Sequence, residues 1–179
     1  MSNNFFSSDL HFFHKNIQSF CPNTRLGITV EEMNEILIER HNSVVRPQDT
    51  VYLLGDISFG TAEETKTVVQ RLNGKKHLIY GNHDMVIRRD ATIQELFDSV
   101  QDYKRVKIGK KQVMMSHFPM RSWEMRGHGS YHLYGHMHGK LEAEPYGLSM
   151  DVGIDARPGD MLPWEWEEIN NILKEREIL

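Results

Sequence analysis

Residues 50–56 read Thr50-Val51-Tyr52-Leu53-Leu54-Gly55-Asp56, a nearly continuous apolar run that ends on a glycine and an aspartate. Such a run predicts a strand buried on both faces, as in a parallel sheet covered by helices. The pattern then repeats. Thr61-x-x-Glu64 is a capping box that opens a helix, and Asn73-Gly74 stops it. His77-Leu78-Ile79-Tyr80 is the next apolar run, again closed by glycine and polar residues in Gly81-Asn82-His83-Asp84. Strand, helix and strand in this order imply a right-handed parallel unit. Upstream, Asn4-Phe5-Phe6-Ser7-Ser8 reads as a first strand ending at Asp9, followed by a loop over 16–28 rich in Asn, Gly, Pro and Thr. Thr29-x-x-Glu32 caps another helix, with Met33, Ile36, Leu37 and Val44 on its apolar stripe.

Downstream the pattern changes. A short helix is expected over 92–97, then strands over 100–108, 112–116, 131–134 and 148–152 joined by turns. Pro163 suits the first turn of a terminal helix running to about Lys174, with Trp166, Ile169 and Leu173 as its buried stripe. The strand-rich second half implies a more antiparallel sheet than the first. The fold class expected is α/β, with two mixed β-sheets packed as a sandwich and flanked by helices. Without a repeat or a linker, 1–179 reads as one domain.

The hydrophobic fraction of 39% and charged fraction of 26% are those of an ordinary folded chain. A formal net charge of −4 argues against a phosphate-backbone binder, although bound divalent cations would reverse the field at an acidic site. The basic runs Lys75-Lys76 and Lys104, Arg105, Lys107, Lys110, Lys111 read as solvated faces. A single cysteine, Cys21, excludes an intramolecular disulfide and suits a reducing compartment; it reads as a bland small residue, because no His or Lys flanks it closely in sequence. No secretory signal and no apolar stretch of about 20 residues is present, so a cytoplasmic, non-membrane protein is expected. Ten histidines are the unusual entry, and their positions decide what they mean.

Five polar blocks fall at the ends of expected strands: Asp9-Leu10-His11, Gly55-Asp56, Gly81-Asn82-His83-Asp84, Ser116-His117-Phe118-Pro119 and Gly135-His136-Met137-His138. In an extended segment, residues i and i+2 face the same side, so each outer block can aim two donors at one ion. Gly55, Gly81 and Gly135 let the backbone turn sharply or approach a ligand closely. The blocks offer carboxylate, imidazole and amide donors without thiolate, a set suited to Mn²⁺, Fe or Zn²⁺ rather than to a structural zinc knuckle. So many donors can hold two ions, with a carboxylate such as Asp56 bridging them at about 3.5–4 Å.

The order Asp-x-His, Gly-Asp, Gly-Asn-His-Asp, His, Gly-His-x-His resembles the calcineurin-like metallophosphoesterase superfamily. Asp9-Leu10-His11-Phe12-Phe13-His14-Lys15-Asn16-Ile17, Glu31-Glu32-Met33-Asn34-Glu35 and His117-Phe118-Pro119-Met120 resemble its small uncharacterised bacterial and phage members. The resemblance runs from about Phe5 to the terminal helix. It implies one metal site of Asp9, His11, Asp56 and His138 and another of Asp56, Asn82, His117 and His136, with two divalent ions, manganese first among them. It implies His83 as the catalytic histidine beside the ions, and hydrolysis of a phosphate ester by metal-activated water. The lack of an evident cap domain favours a small or cyclic phosphodiester, possibly a nucleotide, over a phosphomonoester. A non-catalytic scaffold is the reading from another class, disfavoured because every ligand position is filled. No protein partner is indicated.

One position departs from the family pattern. The protein-phosphatase branch has an aspartate three residues after the Gly-Asp aspartate, where this chain has Phe59. Asp84 or another group would then orient His83, unless no carboxylate does. Asp84 reads equally as a support for the ligands or as a turn residue. Among residues outside the motif, Arg121 is the preferred contact for substrate phosphate, with His14 as a second candidate. Arg126 and His128 read as loop residues, His132 as a core histidine, and His41 and His77 as surface positions. Trp123 reads as an exposed tryptophan packed on its own loop.

Overall fold

In the computed structural model, which describes residues 2–25, 29–157 and 159–178, strands and helices alternate through the first half of the chain. Strand β1 (Asn4–Ser7) is followed by a short helix α1 (Ile17–Phe20) within the expected loop, of which residues 26–28 lie outside the described set. Then come α2 (Val30–Val44), β2 (Thr50–Leu53), α3 (Ala62–Arg71) and β3 (Lys75–Ile79). Both capping boxes form. The Thr29 hydroxyl accepts from the Glu32 amide at 3.2 Å, and the Glu32 carboxylate accepts from the Thr29 amide at 2.8 Å. Caps of this kind stabilise a helix by ~1 kcal/mol.

Two short helices follow, α4 (Met85–Arg89) and α5 (Ala91–Gln94), of which only the second was expected. The expected strand 100–108 is two strands, β4 (Ser99–Gln101) and β5 (Tyr103–Ile108), parted at Asp102 where the chain leaves one sheet for the other. Strands β6 (Lys111–Ser116), β7 (Tyr131–Tyr134) and β8 (Ser149–Asp151) complete the second sheet. Pro163 does not open the terminal helix. It precedes a two-residue strand β9 (Trp164–Glu165) that pairs with Phe6 and Phe5, and α6 (Trp166–Leu173) starts only after that pairing ends.

Among the described residues the strands form two mixed sheets, ordered β4-β3-β2-β1-β9 and β5-β6-β7-β8. The first is parallel except for β9. The second is less antiparallel than its sequence suggests: only β5 and β6 form an antiparallel pair, while β6-β7 and β7-β8 are parallel. The connections 117–130 and 135–148 are long enough to carry the chain back to the starting end, which a parallel pair requires.

Strand alternation divides the core. Phe5, Val51, Leu53 and Leu78 point into a cluster with Met33, Leu37, Val68 and Val69 of α2 and α3. Their neighbours Phe6, Tyr52, Leu54 and Ile79 point the other way, into a cluster with Val113, Met115, Tyr131 and Leu133 of the second sheet and Ile169 and Leu173 of α6. Truncating a fully buried residue such as Leu53 to alanine would cost about 2–5 kcal/mol.

Three aromatic positions differ from their sequence reading. His41 is buried, not a surface residue, because α2 packs on the turn after α3, where His41 Nε2 donates to the Asn73 carbonyl at 2.9 Å. His77 is half-buried, stacked on Tyr52 with Nδ1 at 2.8 Å from the Ser99 hydroxyl. Trp123 packs on its own loop but is buried, its indole N–H donating to the Ser130 carbonyl at 3.2 Å. No described helix is long and apolar enough to cross a membrane.

Candidate metal centre

The five polar blocks meet just beyond the C-terminal ends of β1, β2, β3, β6 and β7, where the two sheets come together. The backbone there is not extended. Asp9, His11, Asp56, His136 and His138 have φ of +57°, +51°, +55°, +68° and +50°. Thus the paired donors at i and i+2 share a side through left-handed turns, not through the strand pleat. Non-glycine residues reach this region at a cost of about 1–3 kcal/mol each, and only a surrounding structure that fixes them can keep them there. Here the Asp9 and His11 amides donate to the Gly55 and Asp56 carbonyls at 3.0 Å each, and Phe12 donates to Ile57 at 2.9 Å. The sheet ends also approach closely. A Cβ on Gly81 would collide with Asp56, and one on Gly135 would collide with Ser8 and lie 2.7 Å from Asp9 Oδ2.

Two groups of donors result. Asp9, His11 and His138 each bring a ligand atom within 4.8 Å of the others, as do Asp56, His117 and His136. Asp56 stands between them, its Oδ2 at 3.8 Å from His11 Nε2 and 3.5 Å from His117 Nε2. Asn82 Oδ1 lies 3.0 Å from His117 Nε2. His83 is at the exposed rim, with Nε2 4.0 Å from Asp56 Oδ2 and its amide donating to Asp56 Oδ1 at 2.9 Å.

The donors themselves test whether a cation fits. His11 is 4% exposed, and neither ring nitrogen has a hydrogen-bond partner among the described residues. Buried imidazole nitrogens without partners are costly, and a cation among Asp9, Asp56 and His138 would satisfy one. His117 presents the same case. Its Nδ1 is 2.7 Å from the Leu54 carbonyl, which can only accept, so Nδ1 carries the proton. The Nε2 lone pair then faces two further acceptors, Asn82 Oδ1 and Asp56 Oδ2, a repulsion that a second proton or a cation removes. Burial pushes the Asp9 carboxyl up to about 7 and the His11 imidazole down to about 3. Burial also raises Asp56, but hydrogen bonding to His117 and the His83 amide more than offsets it, leaving about 2. An arrangement of largely buried, mixed N/O donors with one carboxylate between two groups fits a pair of divalent ions.

Asp84 is buried, and its carboxylate accepts from the amides of Asp56 (2.9 Å), Ile57 (2.9 Å) and Gly81 (2.7 Å). It therefore ties the loop after β2 to the loop after β3, and both its oxygens are taken up by backbone amides. That ring packs against Phe59 at 4.6 Å between centroids, so an aromatic face stands beside His83. Phe59 also touches His14 at 4.1 Å, and His14 edges onto His11 at 5.4 Å while its Nδ1 accepts from the Asn16 amide. Arg121 is exposed and lines a groove of about 410 Å³ with Met120, Tyr134 and Tyr146, a lining that includes none of the clustered donors.

Three further residues support the cluster, and the sequence did not single them out. Arg25, fully buried, donates to the Asp9 carbonyl at 2.6 Å, the Leu10 carbonyl at 2.8 Å and both oxygens of Asp155 at 2.8–2.9 Å. Asp155 Oδ2 lies 2.8 Å from His138 Nδ1, and the Thr24 hydroxyl also donates to Asp155. Burial raises the Asp155 carboxyl, but His138 and Arg25 together bring it well below the usual carboxylate range. Asp151 accepts from the Gly139 and Gly153 amides at 2.8 Å each and so fixes the loop after His138. Arg25 and Asp155 belong to loops without a motif, and only their contact reveals them. Cys21, without a histidine near it in sequence, has His138 Nδ1 3.5 Å from its sulfur.

A family model described as calcineurin-like phosphoesterase superfamily domain matches residues 6–150. Gene 66 protein of Mycobacterium phage L5 is 33% identical over 188 residues, covering 87% of this chain and 88% of its own length. An uncharacterized protein of Methanocaldococcus jannaschii is 34% identical over 142 residues, covering 78% of this chain and 72% of its own. The crystal structure of a protein of unknown function from Aquifex aeolicus superposes with a TM-score of 0.74 at 23% identity, covering 96% of this chain and all of that one, and so has the same fold.

Proposed function

The chain belongs to the calcineurin-like phosphoesterase superfamily, and from that premise we propose that it hydrolyses a small or cyclic phosphodiester with two divalent cations. Manganese is the first choice of metal, and nucleotides are the first substrates to test. Asp9, His11, Asp56 and His138 would hold one cation; Asp56, Asn82, His117 and His136 would hold the other. The observation that carries this reading is His11, a buried imidazole between two carboxylates with neither nitrogen hydrogen-bonded among the described residues. Cations bound there would supply the charge that offsets a phosphoryl group and the acidity that water lacks at neutral pH.

The chain's own groups do the rest. Asp56 stays ionised at neutral pH and so keeps its negative charge between the two donor groups. Asp84 holds the amides of Asp56 and Gly81, which fixes the carboxylate relative to Asn82. His83, at the rim, is placed to give the proton on Nε2 to the departing oxygen of the ester, with Phe59 packed on its ring to limit its rotation. Asn82 and His83 are both exposed, which supports a site open enough for the second substituent of a diester. The lone Cys21 and the lack of a spanning helix among the described residues support a cytoplasmic setting.

Stripping the metal, restoring Mn²⁺ and comparing p-nitrophenyl phosphate with bis-p-nitrophenyl phosphate tests the proposal. Diester turnover that needs Mn²⁺ and collapses in Asp56→Asn and His83→Ala supports it. Turnover of the monoester alone overturns the diester preference. Two bound equivalents of metal without turnover of either ester, or of a panel of nucleotide diesters, favours a scaffold.

A further inference from the structure

The two donor groups are supported differently. His117 donates from Nδ1 to the neutral Leu54 carbonyl, whereas His138 has Nδ1 against the Asp155 carboxylate at 2.8 Å. A carboxylate behind a metal-binding imidazole fixes its orientation and makes its free nitrogen a stronger donor. Asp155 is itself held by Arg25 and Thr24, and Arg25 reaches on to the carbonyls of Asp9 and Leu10. One buried guanidinium therefore joins the backbone beneath Asp9 to the carboxylate behind His138, the two ends of one donor group. A buried ion pair is weak support for stability, because desolvation offsets most of its Coulomb gain. Its placement is better explained by what it orients.

We infer that Asp155, locked by Arg25, is a positioning residue that makes the Asp9–His11–His138 group the tighter of two unequal cation sites. The inference rests on the proposed two-cation reading. Arg25 repels a nearby cation and Asp155 cancels that charge, so the pair is needed intact: Asp155→Asn keeps the shape but leaves Arg25 uncompensated beside the site.

Calorimetric titration of metal-free protein with Mn²⁺ is the test. Wild type is expected to bind in two phases, and His117→Gln should remove the weaker one, which assigns it. Asp155→Asn should weaken the tighter phase by roughly 10–100-fold and leave the other within about threefold. Thr24→Val, which keeps the ion pair, should shift the same phase by less, and it replaces Asp155→Asn should that variant fail to fold. A single phase in wild type, equal weakening of both phases, or a fall in thermal stability with both phases unchanged would overturn the inference. The two proposals fail separately. Two phases of which only the tighter depends on Asp155, without ester hydrolysis, sink the proposed function and spare this one, whereas Mn²⁺-dependent hydrolysis with binding indifferent to Asp155 does the reverse.

Discussion

His132 in β7 and His11 beyond β1 are both buried imidazoles, 0% and 4% exposed, and burial pushes both down, to about 4 and about 3. Their surroundings differ in one respect. His132 Nε2 accepts from the Met120 amide at 3.1 Å, its Nδ1 faces the Met114 carbonyl at 3.4 Å, and its ring lies between Trp123 and Tyr134. His11 has carboxylates and imidazoles around it and no hydrogen bond to either nitrogen among the described residues. Burial alone does not separate a structural histidine from one that serves chemistry. Whether its polar atoms are already used does.

The largest effect expected from this contrast is at Asp56, the carboxylate beside His11. Asp56→Asn should lower kcat/KM on bis-p-nitrophenyl phosphate by more than the roughly 10–100-fold that losing an outer partner of a metal site costs. Activity within tenfold of wild type would mean that the donor groups do not act through Asp56. Next come two substitutions of opposite sign, each measured by denaturant unfolding without metal. His132→Phe strands the Met120 amide and should cost about 1–3 kcal/mol. His11→Phe keeps a ring and removes two nitrogens without partners among the described residues, so it should be neutral or stabilising by about 1 kcal/mol. Equal losses in both would erase the comparison.

A more gradual effect follows from pH. His41 and His132 are held neutral by burial, each pushed down to about 4. The unfolded chain takes up these protons near pH 6.5, so between about 6.5 and 4 it binds more protons than the fold. Their contribution is therefore complete above about pH 6.5 and is lost as pH falls towards 4, by up to about 1.4 kcal/mol per pH unit for each histidine. His41→Gln should flatten the slope of stability against pH in that window, and an unchanged slope would show that His41 is not its source. Smallest of all, Arg121→Ala should change kcat/KM by less than about twofold, since its groove shares none of the clustered donors. A tenfold rise in KM would return Arg121 to the site.

Legibility from sequence followed the range of the interactions involved. The runs at 50–54 and 77–80 are strands because both their faces are covered, and an uninterrupted apolar run encodes that locally. Thr29 and Thr61 cap their helices through residues three positions away, equally local. The crossing at Asp102 left no trace, because Val100 to Ile108 keeps a strand-like pattern on both sides of it. The parallel pairing of β6, β7 and β8 was hidden because loop length, not strand composition, sets it. At the site, the five blocks were readable as donors, while the left-handed backbone that aims them was not, since Asp and His tolerate positive φ better than most residues yet still adopt negative φ far more often. Arg25 and Asp155 are 130 positions apart, and nothing near either one predicts the other.

That same separation bears on how the centre comes into being. The Asp9 carboxylate accepts the His136 amide across 127 positions, and His138 leans on Asp155 near the far end of the chain. A chain emerging from the ribosome can pair β1, β2 and β3 before it contains β7 and the histidines that follow that strand. Partial products would thus carry scattered donors without a competent centre. On the proposed two-cation reading, capture of the ions would be a late event that selects molecules in which both ends of the centre have met, and mass action would then hold those molecules folded by RT ln(1 + [L]/Kd).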